Sequence, residues 1–416
     1  MSVEDLFAEV AAAHPRCVWL DGGGAREWSG SRSLIGWLED DDISLTYSAA
    51  RREVLRHAAG RSEVVGDDIW KVLEREVGPG EQWFGYFGYA CRTDLPAAPS
   101  VDVPDAVWMR PSHVRLFDHP LGVVGDRTVA LPAGNRPSDP RLPAYRAAFE
   151  IVQEALRAGD TYEANLTYRT TVEAEAEADP VETYLRLRSI NPAPYAGFLQ
   201  HDVADHAAWL LSSSPERYAL IDGDRTIETR PIKGTTPRGA TAEQDAANAE
   251  LLRTDPKLRS ENLMITDLLR NDLAMVCEPG TVEVPGLMRV ESYPSVHQLV
   301  TTVRGHLRDE ITTIEALRRL FPAGSMTGAP KLRTMEVIER AERELGGPRA
   351  AYAGAFGWIS GDGPADLGVV IRTLTTHDTH TWQIGTGGGI TVRSDVAEEA
   401  EEARLKADRV RASLGR

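Results

Sequence analysis

The spacing of apolar residues changes character several times along the chain, and each change marks an element. Cys17-Val18-Trp19-Leu20 and Trp83-Phe84-Gly85-Tyr86-Phe87-Gly88-Tyr89 are short apolar runs bounded by glycines, which predicts strands. From Tyr145 the spacing turns helical, because Tyr145, Phe149, Val152 and Leu156 share one face before Gly159 stops the helix. Trp209 to Ser213 and Arg217 to Ile221 alternate as strands, and Asp222-Gly223-Asp224 predicts a hairpin turn into a strand from Thr226 to Ile232. Lys233 then falls at a strand end. Two further helices are expected, Leu258 to Asp272 and about Val396 to Leu414, with strands over Ala353 to Ile359, Gly368 to Leu374 and Thr381 to Ile384 between them. Strands and helices mix without a regular βαβ rhythm, so α+β layering is expected rather than a doubly wound parallel sheet.

A Pro, Gly and Asp-rich stretch from Leu131 to Pro143 reads as a linker or surface loop. It sets an expected boundary near residue 140, between an N-terminal portion, 1–140, and a portion, 141–416, that carries most of the candidate chemistry. The 416 residues exceed one ordinary core, yet a prior of ~150 residues per domain still admits one large two-sheet body.

The formal net charge of −17 opposes nucleic acid phosphates and anionic lipid, so neither is an expected partner. An anionic small substrate would need local cations. Cys17, Cys91 and Cys277 lie far apart, without the spacing of a disulfide framework or a zinc site. Met1-Ser2-Val3-Glu4-Asp5 has no basic region ahead of an apolar stretch, and a cytoplasmic location is expected.

Several polar residues stand where chemistry is conceivable. Lys233 lies between Ile232 and Gly234, a setting that could desolvate the amine and lower its pKa, or that could simply carry a surface charge. Glu216 follows a strand in Ser214-Pro215-Glu216 and would serve as a general acid if burial raised its pKa. Glu399, Glu402 and Lys406 share a face of the last helix, which locally reads as an exposed, salt-bridged face. Glu261 could give an oxygen ligand to Mg²⁺. Gly385-Thr386-Gly387-Gly388-Gly389 lacks the following helix of a dinucleotide fingerprint. It reads as a glycine turn, either a structural bend or a nest of amides for a carboxylate.

In order along the chain, a set of motifs resembles the chorismate-utilising enzyme family. These are Gly159-Asp160-Thr161-Tyr162-Glu163-Ala164-Asn165-Leu166, Ser214-Pro215-Glu216-Arg217, Arg230 to Thr235, Glu261-Asn262-Leu263-Met264-Ile265 with Asp267 to Asp272, Pro322 to Lys331, Tyr352-Ala353-Gly354, Ile371-Arg372-Thr373-Leu374 and Gly387 to Lys406. Val18-Trp19-Leu20-Asp21 and Arg32-Ser33-Leu34-Ile35-Gly36 are similar to its N-terminal part. The resemblance implies a two-sheet α/β sandwich with helices outside. It also implies that Glu261 and Glu402, with Glu399 beside them, hold Mg²⁺. Thr235, Tyr352, Arg372, Lys406 and the amides of Gly387 and Gly388 would surround the substrate.

Within the family, Pro231-Ile232-Lys233-Gly234-Thr235 is similar to the aminodeoxychorismate synthase branch, whereas anthranilate synthases usually have alanine at the lysine position. The water-activating lysine of other branches would fall at Glu163, and the aminating enzymes more often carry glutamine there. Gln298 departs from the histidine of anthranilate synthases, and His297, one place earlier, is given no catalytic role. The implied reaction adds ammonia to chorismate at ring position 4, with Lys233 as covalent nucleophile and Glu216 as acid. Ammonia would come from a separate glutaminase subunit, since no cysteine sits in a Gly-x-Cys-x-Gly elbow. Amination at position 2 and a non-catalytic subunit are the alternatives.

Overall fold

Alternate residues of the strand Arg16–Asp21 serve two different cores. Cys17 and Trp19 pack with Phe7 and Val10 of the helix Val3–Ala13 and with Tyr184 and Leu187 of the helix Pro180–Ile190. Val18 instead packs with Phe84, Tyr86, Val107 and Phe356. That second cluster fills the space between two antiparallel sheets, and helices cover their outer faces, as the expected α+β sandwich requires. The computed structural model describes residues 2–22, 32–119, 142–174, 178–293 and 296–415.

In space, one sheet runs Gly328–Ala329, Glu163–Glu173, Thr381–Ile390, Thr373–Thr376, Ala208–Ser214, Tyr195–His201, Arg16–Asp21, Arg32–Trp37 and His113–Asp118. The other begins with Ile232–Pro237, Val296–His306, Thr226–Arg230 and Arg217–Ile221. It continues through Ala365–Val369, Ala355–Ser360 and Gln82–Phe87 to strands of the N-terminal portion, with Glu283–Ser292 attached to Val296–His306. Residues from both sides of position 140 share each sheet: Arg16–Asp21 pairs with Tyr195–His201, and Gln82–Phe87 with Ala355–Ser360. The stretch expected as a linker lies outside the described residues except for Leu142 and Pro143, which open the helix Leu142–Ala158. No helix among the described residues is long and apolar enough to cross a membrane.

Three sequence expectations change. The strand expected over Gly368 to Leu374 is the end of Ala365–Val369 and the start of Thr373–Thr376, which belong to different sheets, so the chain crosses between the sheets at residues 370–372. The strand expected from Thr226 to Ile232 is broken at Pro231 into Thr226–Arg230 and Ile232–Pro237, since a proline cannot donate to the ladder. The glycines 385–389 form no turn; they lie inside the strand Thr381–Ile390, in continuous register with Glu163–Glu173.

Candidate active site

Lys233, expected at a strand end, is the second residue of the strand Ile232–Pro237. Between the pairs Ile232↔Val300 and Thr235↔Gln298 its strand carries one residue more than its partner, a bulge that re-aims the side chain. Gly234 supplies the left-handed backbone this needs, with φ 92°, while Leu252 and Leu258 close over it. The bulge turns Lys233 toward Glu163, which opens the strand Glu163–Glu173 of the opposite sheet, and the ammonium forms an ion pair with its carboxylate. The Lys233 side chain is 11% exposed and that of Glu163 3%.

The expected fall in the Lys233 pKa is therefore corrected. Burial does pull it down, but Glu163, with Glu261 and Glu216 behind it, outweighs burial and holds the ammonium above its ordinary range. Glu216 behaves as expected of a general acid. It is 7% exposed, and burial pushes its carboxyl up to about 7 against a hydrogen bond from Ser325 and the charges of Lys233 and Lys406. Its backbone is fixed by the Val369 amide, which donates to the Glu216 carbonyl at 3.0 Å. Arg217, the next residue, is locked by Glu228 at 2.5 Å and by Tyr195.

Glu261 rides on the helix Pro256–Ala274, capped by Asp255, whose carboxylate accepts from the Leu258 amide at 2.9 Å. Its neighbour Asn262 is fully buried and accepts from the Thr301 hydroxyl at 2.5 Å, which ties the helix to the strand Val296–His306. Burial raises the Glu261 carboxyl to about 7, and the like charges of Glu163 and Glu399 add to the rise over the opposing Lys233 and Lys257.

The last helix, Val396–Arg411, is not a plainly solvated face. Glu399 is 6% exposed and pairs with Lys257 at 3.5 Å, and its carboxyl is raised by burial. Glu402 is exposed and pairs with Lys406 at 2.7 Å, while the Lys406 ammonium also donates to the Gly387 carbonyl at 3.0 Å. Among the described residues no three acidic, histidine or cysteine side chains close into a metal cage. The donor set nevertheless suits a hard cation: Glu261 and Glu399 are carboxylates that burial pushes toward the protonated form, a cost a cation would offset, and Mg²⁺ needs only one or two carboxylates besides water and substrate oxygens.

Gly388 leaves open the space beside Glu399 and Lys406, and Gly389 the space that Glu163 and Lys233 occupy, whereas Gly387 is bare because Leu166 and Thr167 press against it. On its other edge the glycine strand pairs with Thr373–Thr376 only at Gln383 and Ile384. Tyr352 is buried with its ring against Gly385. Arg372, in the left-handed region at φ 53°, is pulled down to about 10 by burial and by the charge of Arg409. Thr235 is exposed and its backbone pairs with Gln298. His297 is a buried tie, bonded to Ser292 at 2.8 Å and Asp245 at 3.0 Å.

Ser325, Lys257 and Gly389 were not singled out from the sequence. Ser325 lies in the recognised segment Pro322 to Lys331, Lys257 stands one helical turn before Glu261, and Gly389 ends the glycine run, so each carried a usable signal.

Comparison with known proteins addresses the family and the fold. The chain is 48% identical over 274 residues to an aminodeoxychorismate synthase of Streptomyces pristinaespiralis, covering 66% of this chain and 37% of that protein. It is 40% identical over 266 residues to aminodeoxychorismate synthase component 1 of Escherichia coli, covering 64% and 56%. The chain thus spans about half, or less, of the length of these relatives. Among solved structures, anthranilate synthase component I of Streptococcus pneumoniae superposes with a TM-score of 0.73 at 25% identity, covering 92% of both chains. The profile of the family described as chorismate binding enzyme matches residues 125–412, well over half of the sequence, and the chain belongs to that family.

Proposed function

We propose that this chain converts chorismate and ammonia to 4-amino-4-deoxychorismate, as an aminodeoxychorismate synthase component 1. The observation that carries the reading is the meeting, in one buried site, of the Lys233 side chain, ion-paired to Glu163, with Glu216, whose carboxyl burial pushes up to about 7. Glu216 gives its proton to the departing 4-hydroxyl, which leaves as water. Lys233 adds at ring position 2 as the double bond shifts. Ammonia then adds at position 4 and expels the Lys233 amine, so one difficult allylic substitution becomes two easier ones. Tyr352, Arg372 and Lys406 would receive the substrate carboxylates, with one of the amides of Gly387 and Gly388, whose strand has its other edge unpaired there among the described residues, as a further donor.

Glu261, Glu399 and Glu402 would hold Mg²⁺, which when bound neutralises carboxylate charge on the substrate. Glu261→Gln is then expected to raise the magnesium concentration for half-maximal turnover by about 10–100-fold. A titration of rate against Mg²⁺ checks this, and an unchanged midpoint would remove Glu261 from the metal site. For ammonia we propose a separate glutaminase subunit. All three cysteines of the chain are buried, and burial pushes Cys17 up to about 12 and Cys277 up to about 11, far from nucleophilic use. Free thiols of this kind suit the reducing cytoplasm, where we place the protein.

The test is incubation of the protein with chorismate, Mg²⁺ and an ammonium salt, followed by chromatography and NMR assignment of the aminated ring carbon. Nitrogen at position 4 is the expected result. Nitrogen at position 2 would replace the reading with the anthranilate-type alternative, and absence of any turnover would favour a non-catalytic subunit.

A further inference from the structure

Glu163 stands where neither a water-activating lysine nor a neutral amide is present, and its surroundings give it a task. Its carboxylate is almost completely buried, and Lys233 is its one hydrogen-bond donor among the described residues. Its second oxygen, Oε2, is buried without a partner among them. The bare backbone of Gly389 makes room for the pair, because a Cβ there would collide with both the Glu163 carboxylate and the Lys233 ammonium. A pair this deeply buried loses much hydration on both ions. Moving one proton from nitrogen to oxygen neutralises both partners and removes that cost.

We propose that Glu163 is the proton acceptor that converts the Lys233 ammonium into the attacking amine. The step rests on the function proposed above and balances within the pair. Lys233 Nζ gives one proton to the Glu163 carboxylate, its freed lone pair forms the bond to ring position 2, and Glu163 returns the proton once ammonia has expelled the amine. No proton leaves the site for this, so the supply of free amine does not depend on solvent pH. The charged groups that face Lys233 are Glu163, Glu261 and Glu216; Glu261 also faces Glu163, and is itself faced by Lys257 and Glu399. Substitution at Glu163 leaves these residues in place, but Glu163→Gln also removes a charge that raises the Glu261 carboxyl, so Glu163→Asp, which keeps a carboxylate, is the reference for that change.

The variant is Glu163→Gln, equal in size but unable to take the proton. Its amine must lose a proton to solvent, so the ratio of wild-type to variant rate is expected to grow about tenfold for each pH unit lowered from about 7 to about 5.5, with magnesium saturating. Glu163→Asp, which restores the acceptor, should give a ratio independent of pH at a lower absolute rate. A second arm omits chorismate: Lys233 is labelled with acetic anhydride in the intact protein and quantified by peptide mass spectrometry, and the same pH-dependent ratio is expected. A constant wild-type to Glu163→Gln ratio in turnover, where wild type makes the 4-amino product, overturns the proposal and leaves Glu163 a structural counter-ion. If wild type makes no such product, the functional reading fails and the labelling arm alone decides: a rising ratio supports the acceptor role and a constant ratio overturns it.

Discussion

Lys233→Ala is expected to abolish formation of 4-amino-4-deoxychorismate, with a loss of at least about 10³-fold, the scale on which removal of a covalent nucleophile acts. No neighbouring amine is placed to take over. Lys257 is held by Glu399, and Lys406 by Glu402 and the Gly387 carbonyl. Alanine also strands the Glu163 carboxylate in a dry site, where breaking a buried pair costs about 3–5 kcal/mol, so part of the loss could be unfolding. Lys233→Gln, which keeps a hydrogen-bond donor toward Glu163, separates the two effects. Urea unfolding should show a smaller loss of stability than for Lys233→Ala while turnover is lost to the same extent. Product analysis then carries the decision: disappearance of nitrogen at position 4 supports the covalent route, whereas undiminished 4-amination by either variant would exclude it.

The second large effect lies at Glu216. Its carboxyl must be protonated to assist the leaving hydroxyl, and burial has moved it up to about 7, so the protonated form prevails below that pH and is lost above it. Wild-type kcat/KM, which reports the free enzyme, should accordingly decline on the alkaline side of about 7. Glu216→Gln, which has no transferable proton, should lower kcat by about 10²–10⁴-fold and flatten that decline. Steady-state rates across pH in both proteins measure this. A variant with wild-type kcat, or one that retains the same alkaline limb, would assign the proton to another group.

Much of the framework could be read from local pattern. The face formed by Tyr145, Phe149, Val152 and Leu156 is buried in the helix Leu142–Ala158, and Arg217–Ile221 has the bounds its alternation implies. Errors arose where a distant partner decides. Ile232 and Gly234 suggested a desolvated, acidified lysine, but the dominant neighbour is a carboxylate seventy positions away in sequence on the other sheet. The glycine run suggested a turn because glycine usually marks one. Here the side chains are missing because Tyr352 packs on Gly385 and the Glu163–Lys233 pair on Gly389. Glu399 looked solvated from its helical spacing, whereas Lys257 and the glycine strand cover it.

The weave of the two sheets bears on how the protein can be handled. A recombinant piece beginning at Leu142 would keep the residues proposed to do chemistry but would strip Arg16–Asp21 from Tyr195–His201 and Gln82–Phe87 from Ala355–Ser360. Each sheet would then end in a long row of unsatisfied amides and carbonyls beside apolar side chains, a template for pairing with another copy. Such a fragment is expected to emerge from expression as insoluble aggregate rather than as a smaller working enzyme.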